Sequence, residues 1–323
     1  MVKISVIMAS YEHERFVKRC VQSVLDQTFQ DFEFLITDDG SKDKTADVIR
    51  SIKDPRIKLH VFPENLGAAY AGNDALSRAS GEYIALINSD DFWYPHKLEK
   101  QLLHLESNPR FAAVFTHPCV VDEDGQAIPA HPLQTVFDKH SNGRHWWLRY
   151  FFFEGNALCH PTVLMRKKAY EEIGFYDPRL CQLGDFDLWV RLACQYDFDI
   201  LPEPLIGFRI LNGNRNVSSP NLDNMVRDMW EFEQVLNHYL HMREEDFGIA
   251  FRQEIETFKL YGLPHKVSLG WLAVRGTRPA HHMFGLRLLH TAIGEGLPGI
   301  DTKQLRMLVT LLDPYRVNSG MTP

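Results

Sequence analysis

Phe32-Glu33-Phe34-Leu35-Ile36-Thr37-Asp38-Asp39-Gly40-Ser41 is the stretch that decides the fold. A run rich in β-favouring residues passes directly into two aspartates and a turn-forming Gly-Ser, which reads as a strand that ends in acid. Such an end is costly unless it meets a cation or a donor, and in α/β sheets the strand C-termini converge on one crevice. Tyr83 to Ile87 is a second strand of this kind and ends in Asn88-Ser89-Asp90-Asp91. Together the two ends place four carboxylates around one crevice, a set suited to Mg²⁺ or Mn²⁺ shared with a diphosphate. Taken singly, each also reads as ordinary turn or helix-capping chemistry.

The flanking sequence supplies the remaining elements of a parallel sheet. Ile4 to Ala9 reads as a strand, and Phe16, Val17, Cys20, Val21, Val24 and Leu25 recur at helical spacing. Thr45 to Ile52 and Ala68 to Ala79 read as helices, with Ile57 to Phe62 as a strand between them. This repeated βα unit implies crossover helices over a parallel sheet. Further on, Pro95 to Glu106 is expected to be helical, Ala112 to Val121 extended, residues 126 to 145 a surface loop, and Thr162 to Met165 extended. A helix from Phe186 to Tyr196 and a strand at Leu205 to Arg209 follow; from Asn221 onward helical periodicity dominates, broken at Pro264, Pro279 and Pro298. The expected organisation is an α/β domain over residues 1–220, in halves 1–110 and 111–220, and a helical region over 221–323.

Composition narrows the function. The 323 residues are 45% hydrophobic and 24% charged, as in an ordinary globular protein, with a net charge of −7 that suggests no general grip on nucleic acid. Five scattered cysteines lack any C-x-x-C spacing, so reduced thiols and a cytoplasmic setting are expected. No run approaches the ~18 apolar residues of a membrane span. A nucleotide-dependent oxidoreductase needs a glycine-rich turn after the first strand; Ser10-Tyr11-Glu12-His13-Glu14 stands there, and no glycine precedes Gly40.

Six ordered motifs carry a family resemblance. Ile4 to Tyr11, Ser23 to Phe29, Phe32 to Ser41, Asn65-Leu66-Gly67, Gly81 to Ile84 and Asn88 to Asp91 resemble family 2 of the inverting glycosyltransferases, of the bacterial polysaccharide type. The likeness continues through His160-Pro161, Gly174 to Asp177 and Gly184 to Arg191. It implies a GT-A fold, a Rossmann-like nucleotide-binding half with a mixed central sheet, and transfer of a hexosyl or N-acetylhexosaminyl group from a nucleoside-diphosphate sugar, UDP by preference, to a glycan or lipid-linked hydroxyl. By position it implies that Ala9, Tyr11, Asp39 and, less directly, Asp38 contact the nucleoside. Asn88-Ser89-Asp90 stands in the place of the D-x-D motif that meets the sugar nucleotide, and the metal, Mn²⁺ or Mg²⁺, would rest on Asp90 and Asp91.

The chemistry needs a Lewis acid for the departing diphosphate and a carboxylate base for the acceptor hydroxyl. Asp185, at the start of a helix, is the candidate base, with Asp187 in reserve. His160 is a possible contact to diphosphate or acceptor, although a lone histidine is more often structural. The chain departs from the family pattern at three places: Asn88 replaces an aspartate, Gly184 replaces an acid beside the base, and Leu211 replaces a histidine after Phe208-Arg209. Asn88 and Gly184 keep a second reading open, a noncatalytic nucleotide-sugar-binding protein of the same fold. Between Glu256 and Glu295 no acid occurs, while Lys259, Lys266, Arg275, Arg278 and Arg287 interleave with apolar residues. This region is expected to be a helical cap, a homodimer surface, or a basic face lying peripherally on the inner side of the cell membrane.

Overall fold

The structure is a computed structural model that describes residues 2–211 and 222–312. In chain order its elements are β1 (Ile4–Ser10), α1 (Val17–Leu25), β2 (Phe32–Asp38), α2 (Thr45–Ser51), β3 (Ile57–Val61), α3 (Ala68–Ser77), β4 (Tyr83–Leu86), β5 (Phe92–Trp93), α4 (Lys97–Ser107), β6 (Phe111–Val121), α5 (Pro132–Phe137), α6 (Arg144–Phe153), β7 (Leu164–Arg166), α7 (Lys167–Ile173), α8 (Gly184–Gln195) and β8 (Asp197–Arg209). The helices α9 (Leu222–Leu236), α10 (Glu244–Ala250), α11 (Arg252–Phe258), α12 (His265–Ala273), α13 (Pro279–Gly294) and α14 (Thr302–Leu311) follow. Residues 1–144 and 156–220 form one unit, and residues 145–155 with 221–323 form the other.

The first unit is built on a mixed eight-stranded sheet in the order β3-β2-β1-β4-β7-β6-β8-β5. β3, β2, β1 and β4 run parallel, β7 is antiparallel to both β4 and β6, and β8 is parallel to β6. β1, β2 and β4 are apolar along nearly their whole length because helices cover both faces of a parallel sheet. Val17, Cys20, Val21 and Val24 of α1 pack with Ile4, Val6, Met8, Phe34 and Ile36 in one core, which fixes the level at which the strands end.

Two elements depart from the sequence expectation. β8 runs from Asp197, not from Leu205, because register shifts at Thr116, His117 and Pro118 of β6 accommodate the prolines at 202 and 204 that read as breaks. The stretch read as surface loop contains α5 and the start of α6, and α6 belongs mainly to the second unit. Trp147, Leu148, Phe151 and Phe152 are fully buried on one helical face, with Phe152 against Tyr239 and Phe251. A face that apolar demands a helical partner, and Tyr239 closes it by donating its hydroxyl to the Leu148 carbonyl at 2.8 Å.

Within the second unit the expected basic face is largely neutralised. Lys266 pairs with Glu295 at 2.7 Å and Arg287 with Glu233 at 2.9 Å. Arg278 bonds the Glu154 carbonyl at 2.9 Å and lies 3.9 Å from Asp228, while Arg275 stacks 4.1 Å from the Phe258 ring centre. The acids come from α9 and from the turn after α13, outside the acid-free window. Among the described residues no helix is long and apolar enough to cross a membrane.

Candidate functional site

The register brings the strand ends together. Ser10 lies opposite Asp38, Ala9 opposite Thr37, and Ile87 donates its N–H to the Ile7 carbonyl at 3.1 Å, so the residues after β1, β2 and β4 open on one crevice. The turn after β2 requires its glycine. Gly40 has φ of +68°, and a Cβ there would stand 2.5 Å from the Glu64 carbonyl carbon.

The four carboxylates expected to share this crevice have four different jobs. Asp38 is fully buried and accepts from Ser10 Oγ, Ser41 N and Ser41 Oγ at 2.8–2.9 Å, so it braces the turn and cannot reach a nucleoside. Asp39 accepts the N–H groups of Leu66 (2.7 Å) and Gly67 (2.9 Å), which pins the loop before α3 and leaves each oxygen further acceptor capacity. Tyr11 is 38% exposed; desolvation, then Glu12 and Asp39, raise the pKa of its phenol.

At the β4 end the two aspartates diverge. Asp91 faces inward: Oδ1 accepts the Arg209 N–H at 2.7 Å and Oδ2 accepts from Asn88 Nδ2 at 2.9 Å. Burial and the neighbouring Asp90 push its pKa well up. Asp91 therefore braces the turn, with each of its oxygens already accepting a donor. The Asp90 carboxylate receives no donor from any other described residue. Burial raises its pKa and nearby His13 pulls it down.

Two cationic or basic groups that the sequence reading did not single out surround this acid pair. Arg209 is 2% exposed, bonds the Asp90 carbonyl through Nε at 2.7 Å, and holds the Asp122 and Glu123 carbonyls through Nη1. A crevice with buried acids needs such a counter-charge, and the arginine of Phe208-Arg209 was the available signal. His13 Nδ1 lies 2.8 Å from Ser89 Oγ, and its backbone N–H is fixed by Thr45 Oγ1 at 2.8 Å. Nothing in the spacing of His13 distinguishes it from a surface histidine.

The described residues hold no cluster of three or more His, Cys, Asp or Glu able to seat a metal ion. A divalent cation that arrives with a diphosphate needs only one or two protein carboxylates, since phosphate oxygens and water fill the remaining positions. Asp90 meets that requirement.

In the same unit, α8 begins at Gly184 and presents Asp185 in its first turn. Its Oδ1 accepts the Phe186 N–H at 2.7 Å and its Oδ2 accepts from Asn156 Nδ2 at 3.0 Å. Although part of the residue reaches the surface, desolvation pushes the pKa of the carboxyl up to about 6. Asp187 is buried and paired with Arg191 at 2.7 Å, and Arg191 also binds the Gly174 and Phe175 carbonyls. The reserve base is thus a structural ion pair.

His160 does not point a charge at the crevice. Nδ1 lies 3.2 Å from Asn88 Oδ1 and Nε2 lies 2.7 Å from the Tyr176 hydroxyl, and burial lowers its pKa to about 4. It is a neutral bridge inside the first unit, which removes it as a cationic contact for diphosphate.

Comparison with known proteins follows these outlines. The profile described as "Glycosyl transferase family 2" matches residues 5–174. An uncharacterized glycosyltransferase of Methanocaldococcus jannaschii is 32% identical over 220 residues, covering 67% of this chain and 73% of that protein. WfgD of Escherichia coli, a UDP-Glc:alpha-D-GlcNAc-diphosphoundecaprenol beta-1,3-glucosyltransferase, is 42% identical over 109 residues, covering 33% of this chain and 43% of that protein. The crystal structure of S. aureus TarS 1-349 in complex with UDP-GlcNAc superposes with a TM-score of 0.61 over 98% of this chain and 92% of that one, at 17% identity, a likeness of fold.

Proposed function

The chain belongs to glycosyl transferase family 2 and is a glycosyltransferase of GT-A fold, and from that premise we propose that it moves a sugar, with inversion, from a UDP-sugar to a hydroxyl of a glycan or lipid-linked acceptor. The observation that carries this reading is that one unit holds both Asp90, with its carboxylate open, after β4 and Asp185, with its carboxyl pKa pushed up to about 6, at the start of α8. A base must be deprotonated at working pH yet basic enough to take a proton, and a carboxyl of pKa about 6 satisfies both.

In this reading Tyr11 offers its ring to the nucleoside, Asp39 accepts from the base edge, and Ala9, a small residue at the end of β1, lets the base approach the backbone. Asp90 holds the Mg²⁺ or Mn²⁺, which when bound stabilises charge on the departing diphosphate. Ser89 and Asn88 set the floor under the sugar. Asp185 takes the acceptor proton on the opposite face, and Asn156 keeps the carboxylate turned toward it. The WfgD acceptor, a lipid diphosphate, is the model for the acceptor class.

A thermal-shift screen of UDP, GDP and dTDP sugars with and without Mn²⁺ tests the donor assignment. A ligand at 100 times its dissociation constant adds about 2.7 kcal/mol. The expected result is a shift with a UDP-sugar that requires Mn²⁺ and disappears in Asp90→Ala; a metal-independent shift retained by Asp90→Ala overturns the assignment.

A further inference from the structure

One chain of hydrogen bonds joins the two sides of the crevice and has no place in the roles assigned above. Arg209 N–H donates to Asp91 Oδ1 at 2.7 Å, and Asn88 Nδ2 donates to Asp91 Oδ2 at 2.9 Å. With its NH₂ turned to Asp91, Asn88 can offer only Oδ1 to His160, 3.2 Å away, so His160 Nδ1 carries the proton. His160 Nε2 is then a bare lone pair, and it must accept the Tyr176 O–H at 2.7 Å. Each donor and acceptor follows from its neighbour.

The ends of this chain matter more than its middle. Asn88 is the first residue of the turn that presents Asp90, and its carbonyl is held by the N–H of Asp91 (3.2 Å) and the thiol of Cys20 (3.3 Å). Tyr176 lies in the segment that leads from α7 into α8 and hence to Asp185. Its backbone is clamped on both sides by Asn73 of α3, at 2.8 and 3.0 Å, and its ring lies 3.4 Å from where a Cβ on Gly72 would be. The segment is therefore fixed to the nucleotide half directly by the backbone clamp on Asn73 and indirectly, through His160 and Asn88, by the Tyr176 hydroxyl.

We propose that Tyr176 is a positioning residue that acts through His160: its hydroxyl, donated to Nε2, holds the His160 ring against the Asn88 amide that sets the tautomer, and so fixes the offset between the metal-bearing turn and the base. This rests on the transferase reading, in which Asp90 and Asp185 flank the reacting bond. In-line attack tolerates little error, and a misplacement of about 1 Å costs on the order of 10²-fold in rate. Asn88 fits this chain better than an aspartate, because its amide donates to Asp91 where a second carboxylate would repel it.

Tyr176→Phe removes the hydroxyl and keeps the ring. In the ligand-free protein, ¹⁵N–¹H spectra of the histidines are expected to show His160 protonated on Nδ1, and Tyr176→Phe is expected to shift the Nε2 resonance toward that of an unbonded lone pair. A wild-type His160 protonated on Nε2 overturns the proposal whatever the enzyme's activity, which separates its failure from that of the transferase reading. UDP affinity, measured by calorimetry with Mg²⁺, is expected to stay within twofold, while release of UDP from whichever UDP-sugar binds, with water as acceptor, falls ~10- to 100-fold in kcat. His160→Asn, which keeps the donor toward Asn88 and loses contact with Tyr176, is expected to give the same kcat as Tyr176→Phe and as the double variant. Additive losses, or an unchanged kcat in Tyr176→Phe, mean that Tyr176 does not act through His160.

Discussion

The acids of the sheet unit and the cations of the helical unit look alike in sequence, since each is a cluster of one sign set among apolar residues. The fold treats them differently. Asp38, Asp39, Asp90 and Asp91 sit at strand ends that a parallel sheet must bring level, and there one brace, one loop clamp, one open carboxylate and one partner of Arg209 emerge. Lys266, Arg278 and Arg287 sit on helices whose register to one another no local pattern fixes, and they meet Glu295, Asp228 and Glu233. A charge cluster predicts a site when topology forces its members together, and otherwise predicts little until its partners are known.

The sharpest way to break this comparison is at Asp185. Asp185→Asn keeps a side chain that can accept the Phe186 N–H and removes the base, so transfer is expected to fall by ~10²–10⁴. The wild-type rate is expected to rise with pH through about 6 and then level off, because the base works only when deprotonated. The sign for stability is opposite. A carboxyl whose folded pKa lies above its unfolded value of 3.8 binds more protons when folded, so its contribution to stability falls between about pH 4 and pH 6. Removing the buried charge in Asp185→Asn is worth up to about 3 kcal/mol at pH 7.5, and the lost acceptor for Asn156 Nδ2 offsets about 1–3 kcal/mol of it, so the variant is expected to be at least about as stable as wild type and less active. A folded variant with normal transfer would sink the assignment.

Next in size is the contrast between adjacent acids. Asp91→Ala leaves the Arg209 backbone N–H and the Asn88 amide without their acceptor and is expected to cost about 1–3 kcal/mol of stability for each group left unsatisfied, read by urea denaturation. Asp90→Ala removes an unfavourable buried charge, so it should leave stability unchanged or raised while abolishing the Mn²⁺ dependence of UDP binding. Equal stability of the two variants would return Asp91 to the list of candidate ligands.

Much of the sheet unit could be read in advance because its strands are short, apolar and ended by acids; β1, β2, β3 and β4 lie within a residue or two of their expected bounds. The elements that could not be read have particular causes. The two residues of β5 are too few to carry a period, and the start of β8 is masked by prolines that a bulged ladder tolerates. The start of α6 lay in the stretch read as loop and the rest of it went unread, because its packing surface is supplied by residues more than 80 positions away in sequence. At the site, acidic motifs marked the strand ends, while Arg209, His13, Asn156 and Tyr176 act through contacts across the fold that spacing does not encode. Tyr11, which the family resemblance assigns to the nucleoside, follows β1 directly, and Tyr11→Ala is expected to weaken UDP binding by ~1–3 kcal/mol, the usual value of base–aromatic stacking. Unchanged calorimetric affinity would remove the ring from the nucleoside site.

The smallest effect concerns the helical unit. Its exposed ion pairs contribute about 0.2–1 kcal/mol each, so Glu233→Gln and Glu295→Gln together should barely move the unfolding midpoint. They would free Arg287 and Lys266, each worth about 1 kcal/mol near an anionic leaflet. Among the five cations of the acid-free window, Lys259 and Arg275 have no acidic partner among the described residues, and two charges at about 1 kcal/mol each do not hold a protein on a membrane. The wild-type chain is therefore expected to stay in the supernatant when anionic vesicles are sedimented at 0.1 M salt, and the double variant to sediment in part and be released by higher salt. Equal sedimentation of the two proteins would mean that the pairs open at the surface, and would restore the basic face that the sequence alone suggested.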